Sequence, residues 1–151
     1  MRSGYSVTMR IARFNHDDTV SYAFVQKDDN DGKDYLIELD GYPLGAQPVS
    51  PTGRRFAADG DGIRLLSPVI PSKVYGLAKN YKDPSANIAG SDASGQFPVI
   101  FTKPATSVIG PDDPIVLPAF SRSMNYEPEL AVVIGRIAKN VSAADAMSYV
   151  L

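Results

Sequence analysis

The sequence has no cysteine and no tryptophan, and a single histidine, His16, in 151 residues. The missing cysteines exclude a disulfide framework and a thiolate metal site. A metal ion held by this chain must therefore rest on oxygen ligands, with His16 as the sole imidazole. The same absence fits an intracellular, cytoplasmic setting. Charge of one sign is lacking too: 15 basic residues face 17 acidic ones, for a net charge of -2. No basic stripe points to nucleic acid, and no acidic block points to a disordered tail. No apolar run reaches the roughly 20 residues of a membrane helix. The first nine residues carry one arginine and no apolar core, which excludes a secretory signal. Met9-Arg10-Ile11-Ala12-Arg13-Phe14 resembles a second start, so residues 1–8 are expected to be a disordered extension.

What is present reads as mainly β structure. The 44% hydrophobic content suffices for one globular domain, or for one domain with a small appendage. Residues 10–40 are rich in strand formers, and Val20, Tyr22 and Phe24 alternate with small or polar neighbours. Asp28 to Asp34 is a turn, and Tyr35 to Leu39 returns as a strand. The acidic turn is not a calcium loop. Counted from Asp29, the sixth position is Asp34 rather than glycine and the twelfth is Asp40 rather than glutamate. Residues 42–62 form a connector, with one short helical turn expected over Arg54 to Ala58. Ile63 to Leu66 is a short strand, and Pro68-Val69-Ile70-Pro71 is extended.

A boundary falls near residue 68. It separates a small N-terminal domain, 9–67, from a second region, 68–151. In the second region Val74 to Ala78 reads as a buried strand and residues 79–96 as a loop suited to a lid. Val99 to Thr102 and Ile115 to Leu117 are further strands. Leu130 to Gly135 has the strongest strand pattern, buried on both faces. Ser142 and Asp145 predict a helix start, as an N-cap and its capping-box partner. No C-cap follows before Leu151, so the structural unit is expected to continue past it.

Glu127 and Glu129 stand two apart beside the Leu130–Gly135 run. In extended backbone such residues share a face, where two ionised carboxylates repel each other. A hard cation relieves that conflict. The same spacing also fits two solvent-facing glutamates on an edge strand.

Several blocks then fall in the order of one known family. They are Arg64-Leu65-Leu66-Ser67-Pro68-Val69-Ile70-Pro71-Ser72-Lys73, Asn80-Tyr81, Phe101-Thr102-Lys103-Pro104 and Ser107-Val108-Ile109-Gly110-Pro111. Pro114-Ile115-Val116-Leu117-Pro118, Tyr126-Glu127-Pro128-Glu129-Leu130-Ala131-Val132-Val133-Ile134-Gly135 and Lys139-Asn140-Val141-Ser142 complete the series. In these blocks the chain resembles the fumarylacetoacetate hydrolase family. Residues up to 67 resemble the small N-terminal domain of its bacterial members.

The resemblance implies an α+β, mainly β fold: a small N-terminal β subdomain, then the first part of a mixed β-roll that a C-terminal half would complete. Alone, the chain would expose strand edges and apolar faces. The resemblance also implies Mg²⁺ or Mn²⁺ bound by Glu127, Glu129 and a later aspartate beyond Leu151. The substrate would be a 2-oxo acid or its enol, undergoing C–C hydrolysis, decarboxylation or isomerisation, as in acylpyruvases and hydroxyheptadienedioate isomerases. Lys79, Tyr81 and Lys103 are the candidate substrate contacts, with Lys79 in place of the family's arginine. The family's lid carries a catalytic histidine and glutamate, whose positions here are Pro84 and Asn87. Neither can act as a general base, so no catalytic residue is assigned. His16 precedes the first hairpin and reads as a surface residue. Tyr126 reads as packing, and Asp112 and Asp113 as turn formers. A truncated, non-catalytic member, or one half of a split enzyme, is the alternative to an active enzyme. The expected partners are the small 2-oxo acid and either a second copy or a C-terminal half.

Overall fold

The computed structural model describes residues 9–78, 80 and 99–151. The candidate substrate contacts Lys79 and Tyr81, and the lid positions Pro84 and Asn87, lie outside the described residues. Seven strands are present: β1 (Ile11–His16), β2 (Thr19–Lys27), β3 (Asp34–Leu39), β4 (Pro51–Ala57), β5 (Arg64–Leu66), β6 (Val74–Ala78) and β7 (Val99–Lys103). The first five form one antiparallel sheet in the order β4-β3-β2-β1-β5, and β6 pairs with β7 in a separate two-stranded sheet. The mainly β expectation holds, and residues 10–40 supply three strands. β1 and β2 join through a two-residue turn, Asp17–Asp18, with His16 opposite Thr19. Both aspartates take positive φ, 48° and 59°, as a hairpin that follows the natural strand twist requires.

The core lies on one face of the large sheet. Phe14, Ala23 and Leu36 are its buried centre, and Ala12, Val25, Phe56, Ala58, Ile63 and Leu65 pack around them. Register explains the set. Ala12 lies opposite Ala23, Phe14 opposite Leu65, Val25 opposite Leu36, and Leu36 opposite Phe56. The alternating bulky residues of β2, Val20, Tyr22 and Phe24, point to the other face. On the core face β2 contributes Ser21, Ala23 and Val25, and the small pair leaves room for large side chains from its neighbours. Phe14 and Phe56 meet with ring centroids 5.4 Å apart, and the His16 ring lies 4.7 Å from that of Phe56. His16 is thus a packing residue on this sheet, with Nδ1 3.3 Å from Asp17 Oδ2.

One charged group sits on the same face. Glu38 lies opposite Ala23 and is only 2% exposed. Its Oε2 accepts hydrogen bonds from Thr52 Oγ1 at 2.7 Å and Arg54 Nε at 2.5 Å, and Oε1 accepts a second bond from the Arg54 guanidinium. Burial works to raise the Glu38 pKa. The bonds from Thr52, Arg54 and Ser21, with the charge of Arg54, outweigh it and hold the carboxyl below its ordinary value.

The structure departs from the sequence expectations in several places. Arg54 to Ala58 is no helical turn: it lies in β4 but for Ala58, because Phe56 and Ala57 pair with Leu36 and Tyr35 and Phe56 joins the core. Val74 to Ala78 is a strand, yet Gly76 alone in it is buried. Ile115 to Leu117 is exposed and forms no ladder. Leu130 to Gly135 is not a buried strand either. Its one bridge joins Ile134 to Val150, flanked by Gly135 N–H to Tyr149 O and Leu151 N–H to Val133 O, both 2.9 Å. Ser142 and Asp145 do interact, with Ser142 Oγ donating to Asp145 Oδ2 at 2.7 Å and accepting from the Asp145 N–H at 3.2 Å, but Ser142 caps no helix: Asp145 itself, with no side-chain bond, is the N-cap of the short turn that follows. The helix does not propagate. A 3₁₀ turn over Ala146–Tyr149 ends at Val150, whose backbone is extended to meet Ile134. So short a helix has little stability of its own, and pairing with Ile134 takes its last residue.

The buried carboxylate gives a stability prediction. Glu38→Ala should destabilise the protein by about 1–2 kcal/mol, at the low end for a charged hydrogen bond because Arg54 is 61% exposed and can turn to water. A folded-state pKa below the unfolded one contributes stability that is present above the unfolded value and lost as pH falls through the folded value. The gap between wild type and Glu38→Ala should hold steady from pH 7 to 5 and narrow below the ordinary glutamate value of 4.5. Urea unfolding followed by circular dichroism at each pH measures it. A gap that widens on acidification would contradict the assignment.

Candidate functional site

Glu127 and Glu129 lie in a stretch with no assigned secondary structure that leads from Ser123 to the bridge at Ile134. Both side chains are exposed, and among the described residues neither has a hydrogen-bond or ion-pair partner. Their neighbours Tyr126 and Leu130 are exposed as well. Among the described residues no three His, Cys, Asp or Glu side chains group as a metal site. The donors fit a hard cation in type, since Mg²⁺ is often held by one or two carboxylates with water or substrate oxygens in its other positions. His16 stays with the Phe14–Phe56 cluster, away from any such role.

Lys103 ends β7, opposite Val74. Its side chain is exposed, and Nζ lies 5.7 Å from the centroid of the Phe101 ring, at the outer range of a cation–π contact. The Phe101 ring covers Gly76 across the hairpin, where a Cβ would come within 2.2 Å of it.

A contact absent from the sequence expectations ties this region to the first sheet. Asp113 does form a turn, with its N–H directed to Gly110 O at 3.3 Å and its Oδ2 accepting the Gly110 N–H at 2.8 Å. Its other oxygen accepts a 2.6 Å bond from Arg64 of β5. The Arg64 guanidinium, and then the Gly110 N–H, hold the Asp113 carboxyl below the usual carboxylate range. Gly110 lies so close to β5 that a Cβ there would stand 2.9 Å from Leu65 O. No motif spacing links Arg64 to a residue 49 positions later. A turn-forming aspartate looks the same in sequence whether or not its second oxygen is used.

Residues 73–151 match the family described as fumarylacetoacetate (FAA) hydrolase C-terminal, and residues 9–68 match Rv2993c-like, N-terminal. The chain belongs to the fumarylacetoacetate hydrolase family. It is 39% identical to Protein Rv2993c of Mycobacterium tuberculosis over 95% of this chain and 52% of that protein. It is 41% identical over 58% of its length to the human mitochondrial oxaloacetate tautomerase FAHD2B, of which it covers 28%. Among solved structures, a 5-carboxymethyl-2-hydroxymuconate delta-isomerase from Mycobacterium smegmatis superposes with a TM-score of 0.75 at 36% identity, over 95% of this chain and 52% of that one. Cg1458 with inhibitor gives 0.78 at 36% identity, with the same coverage. The chain thus spans about half the length of these solved relatives and of Rv2993c. No helix among the described residues is long and apolar enough to cross a membrane.

The clasp on β5 is testable. Gly110→Ala sets a methyl group against backbone that cannot swing aside, at a local cost of about 1–3 kcal/mol. Arg64→Ala removes the ion pair alone. Both should speed amide exchange at Asp113 while Ala23 and Leu36 keep their protection. Unchanged exchange at Asp113 in Gly110→Ala would show that the contact does not hold the turn.

Proposed function

We propose that this chain supplies the cation-binding carboxylates of an enzyme acting on a 2-oxo acid or its enol, with Glu127 and Glu129 holding Mg²⁺ or Mn²⁺. The observation that carries the reading is the pair itself: two exposed carboxylates, two residues apart and, among the described residues, without an ion-pair or hydrogen-bond partner, in a chain of this family. A bound cation would supply Lewis acidity toward the 2-oxo carboxylate and its enolate oxygen. The chain's own residues do the rest. Glu127 and Glu129 bind and orient, and the Lys103 ammonium offers a point charge to a substrate carboxylate. Lys79 and Tyr81 are further substrate contacts by their place in the family motif.

The named relatives, a tautomerase and a delta-isomerase, favour chemistry that passes through an enol. Isomerisation and C–C hydrolysis need a proton carrier, and Pro84 and Asn87 cannot provide one. Decarboxylation asks less of the lid, because loss of CO₂ generates the enolate with no proton removed. It is therefore the reaction this chain's residues suit best.

Mn²⁺ titration followed by electron paramagnetic resonance tests the cation site. Glu127→Gln and Glu129→Gln should each weaken binding at least about tenfold, since affinity for hard cations follows the number of charged ligands. Oxaloacetate decay is then measured with Mn²⁺, with and without the protein joined to the remaining half of a relative. Equal decay rates in the two samples would sink the catalytic claim, and Mn²⁺ affinity unchanged from wild type in both variants would sink the site.

A further inference from the structure

We propose that Asp61 is a site of spontaneous backbone rearrangement, where its linkage to Gly62 passes through a cyclic imide to isoaspartate. Four Asp-Gly pairs occur in the sequence: Asp31-Gly32, Asp40-Gly41, Asp59-Gly60 and Asp61-Gly62. Glycine has no side chain to shield its amide nitrogen from the preceding carboxyl. The four pairs are thus alike in sequence, and the fold sets one of them apart.

In three pairs hydrogen bonds hold the groups that would react. Asp31 accepts the Lys33 N–H at 2.9 Å and the Tyr35 hydroxyl at 2.7 Å, and the Gly32 N–H donates to Asp28 O at 2.8 Å. Asp40 Oδ1 accepts the Ser50 N–H at 2.8 Å. Asp59 Oδ2 accepts a 3.0 Å bond from the Lys33 ammonium, and the Gly60 N–H donates to Ala57 O at 3.0 Å. That ammonium holds the Asp59 carboxyl below its ordinary value and so in the ionised form, the poorer electrophile. Asp61 differs. It is exposed, and among the described residues neither its carboxyl nor the Gly62 N–H has a hydrogen-bond or ion-pair partner. The space around Gly62 is open as well: a Cβ there would meet nothing closer than His16 Cδ2, at 3.9 Å.

The Gly62 amide nitrogen attacks Asp61 Cγ. A C–N bond forms, and the amide proton leaves with the carboxyl hydroxyl as water. Water then adds back to the imide. Opening at Cγ restores aspartate. Opening at the main-chain carbonyl leaves the chain running through Cγ, with one more backbone carbon and a free α-carboxylate. Water is the only co-reactant, and nothing is oxidised or reduced. The extra carbon falls just before β5. There Ile63 packs beside the core and its N–H donates to Gly60 O at 3.1 Å, while Arg64 holds Asp113. Lengthening the backbone between Gly60 and Ile63 disrupts that turn and loosens the Arg64–Asp113 clasp.

The test ages the folded full chain near neutral pH, beside a sample unfolded in guanidinium. Peptides from both are then sequenced by electron-transfer fragmentation, which locates isoaspartate by cleavage of its Cα–Cβ bond. In the folded chain Asp61 should convert at least about tenfold faster than each of the other three, because those must first open a hydrogen bond. In guanidinium the four rates should converge. Asp61→Glu keeps the charge on an exposed side chain but cannot close the five-membered ring, so the signal at this position should vanish. Amide exchange at Asp113 should quicken as wild type ages and stay constant in Asp61→Glu. Absence of isoaspartate at Asp61 in the folded chain, or equal folded rates at all four pairs, would overturn the proposal. Exchange at Asp113 that ignores the conversion would overturn the loosening of β5.

Discussion

Every strand must place its backbone N–H and C=O groups against a neighbour, and this requirement organises the molecule more than any single side chain does. Residues 11–66 meet it among themselves, with five strands in one antiparallel array. That closure lets a modest core suffice. Phe14, Ala23 and Leu36 are buried because β1, β2 and β3 hold their registers, and Phe56 joins them because β4 adds to β3. From residue 99 onward the described residues meet it in smaller pieces: a two-stranded ribbon, an isolated bridge and a few turns.

Glu38 shows how the first sheet manages its edge. A carboxylate on an apolar face opposite Ala23 would be costly if left unpaired. It is tolerated because β4 brings Thr52 and Arg54 onto the same face, four and two residues before Phe56. The guanidinium reaches from the exposed edge and also lies 5.9 Å from the Phe56 ring. One side chain thus satisfies the buried charge and covers the rim of the core. Its charge also makes the edge strand a poor template for a further chain.

The first sheet was largely legible because its signals are local. The alternation in β2, the turn residues after Lys27 and the return through Tyr35 to Leu39 each specify a neighbour close in sequence. Arg54 to Ala58 misled because its composition carries no strand pattern; only pairing with β3 makes it one. Leu130 to Gly135 misled in the opposite direction. Its apolar run describes what the segment would do with a strand on each side, and the ladder found there is a single bridge to Val150 flanked by two backbone bonds. Ser142 and Asp145 do bond to each other, but the helix they would start from Ser142 does not form, because local bonds alone do not sustain so short a helix. Glu127 and Glu129 stand out in the sequence by their spacing, and the structure adds only that both are exposed. The Arg64–Asp113 clasp was not legible, because it is purely tertiary.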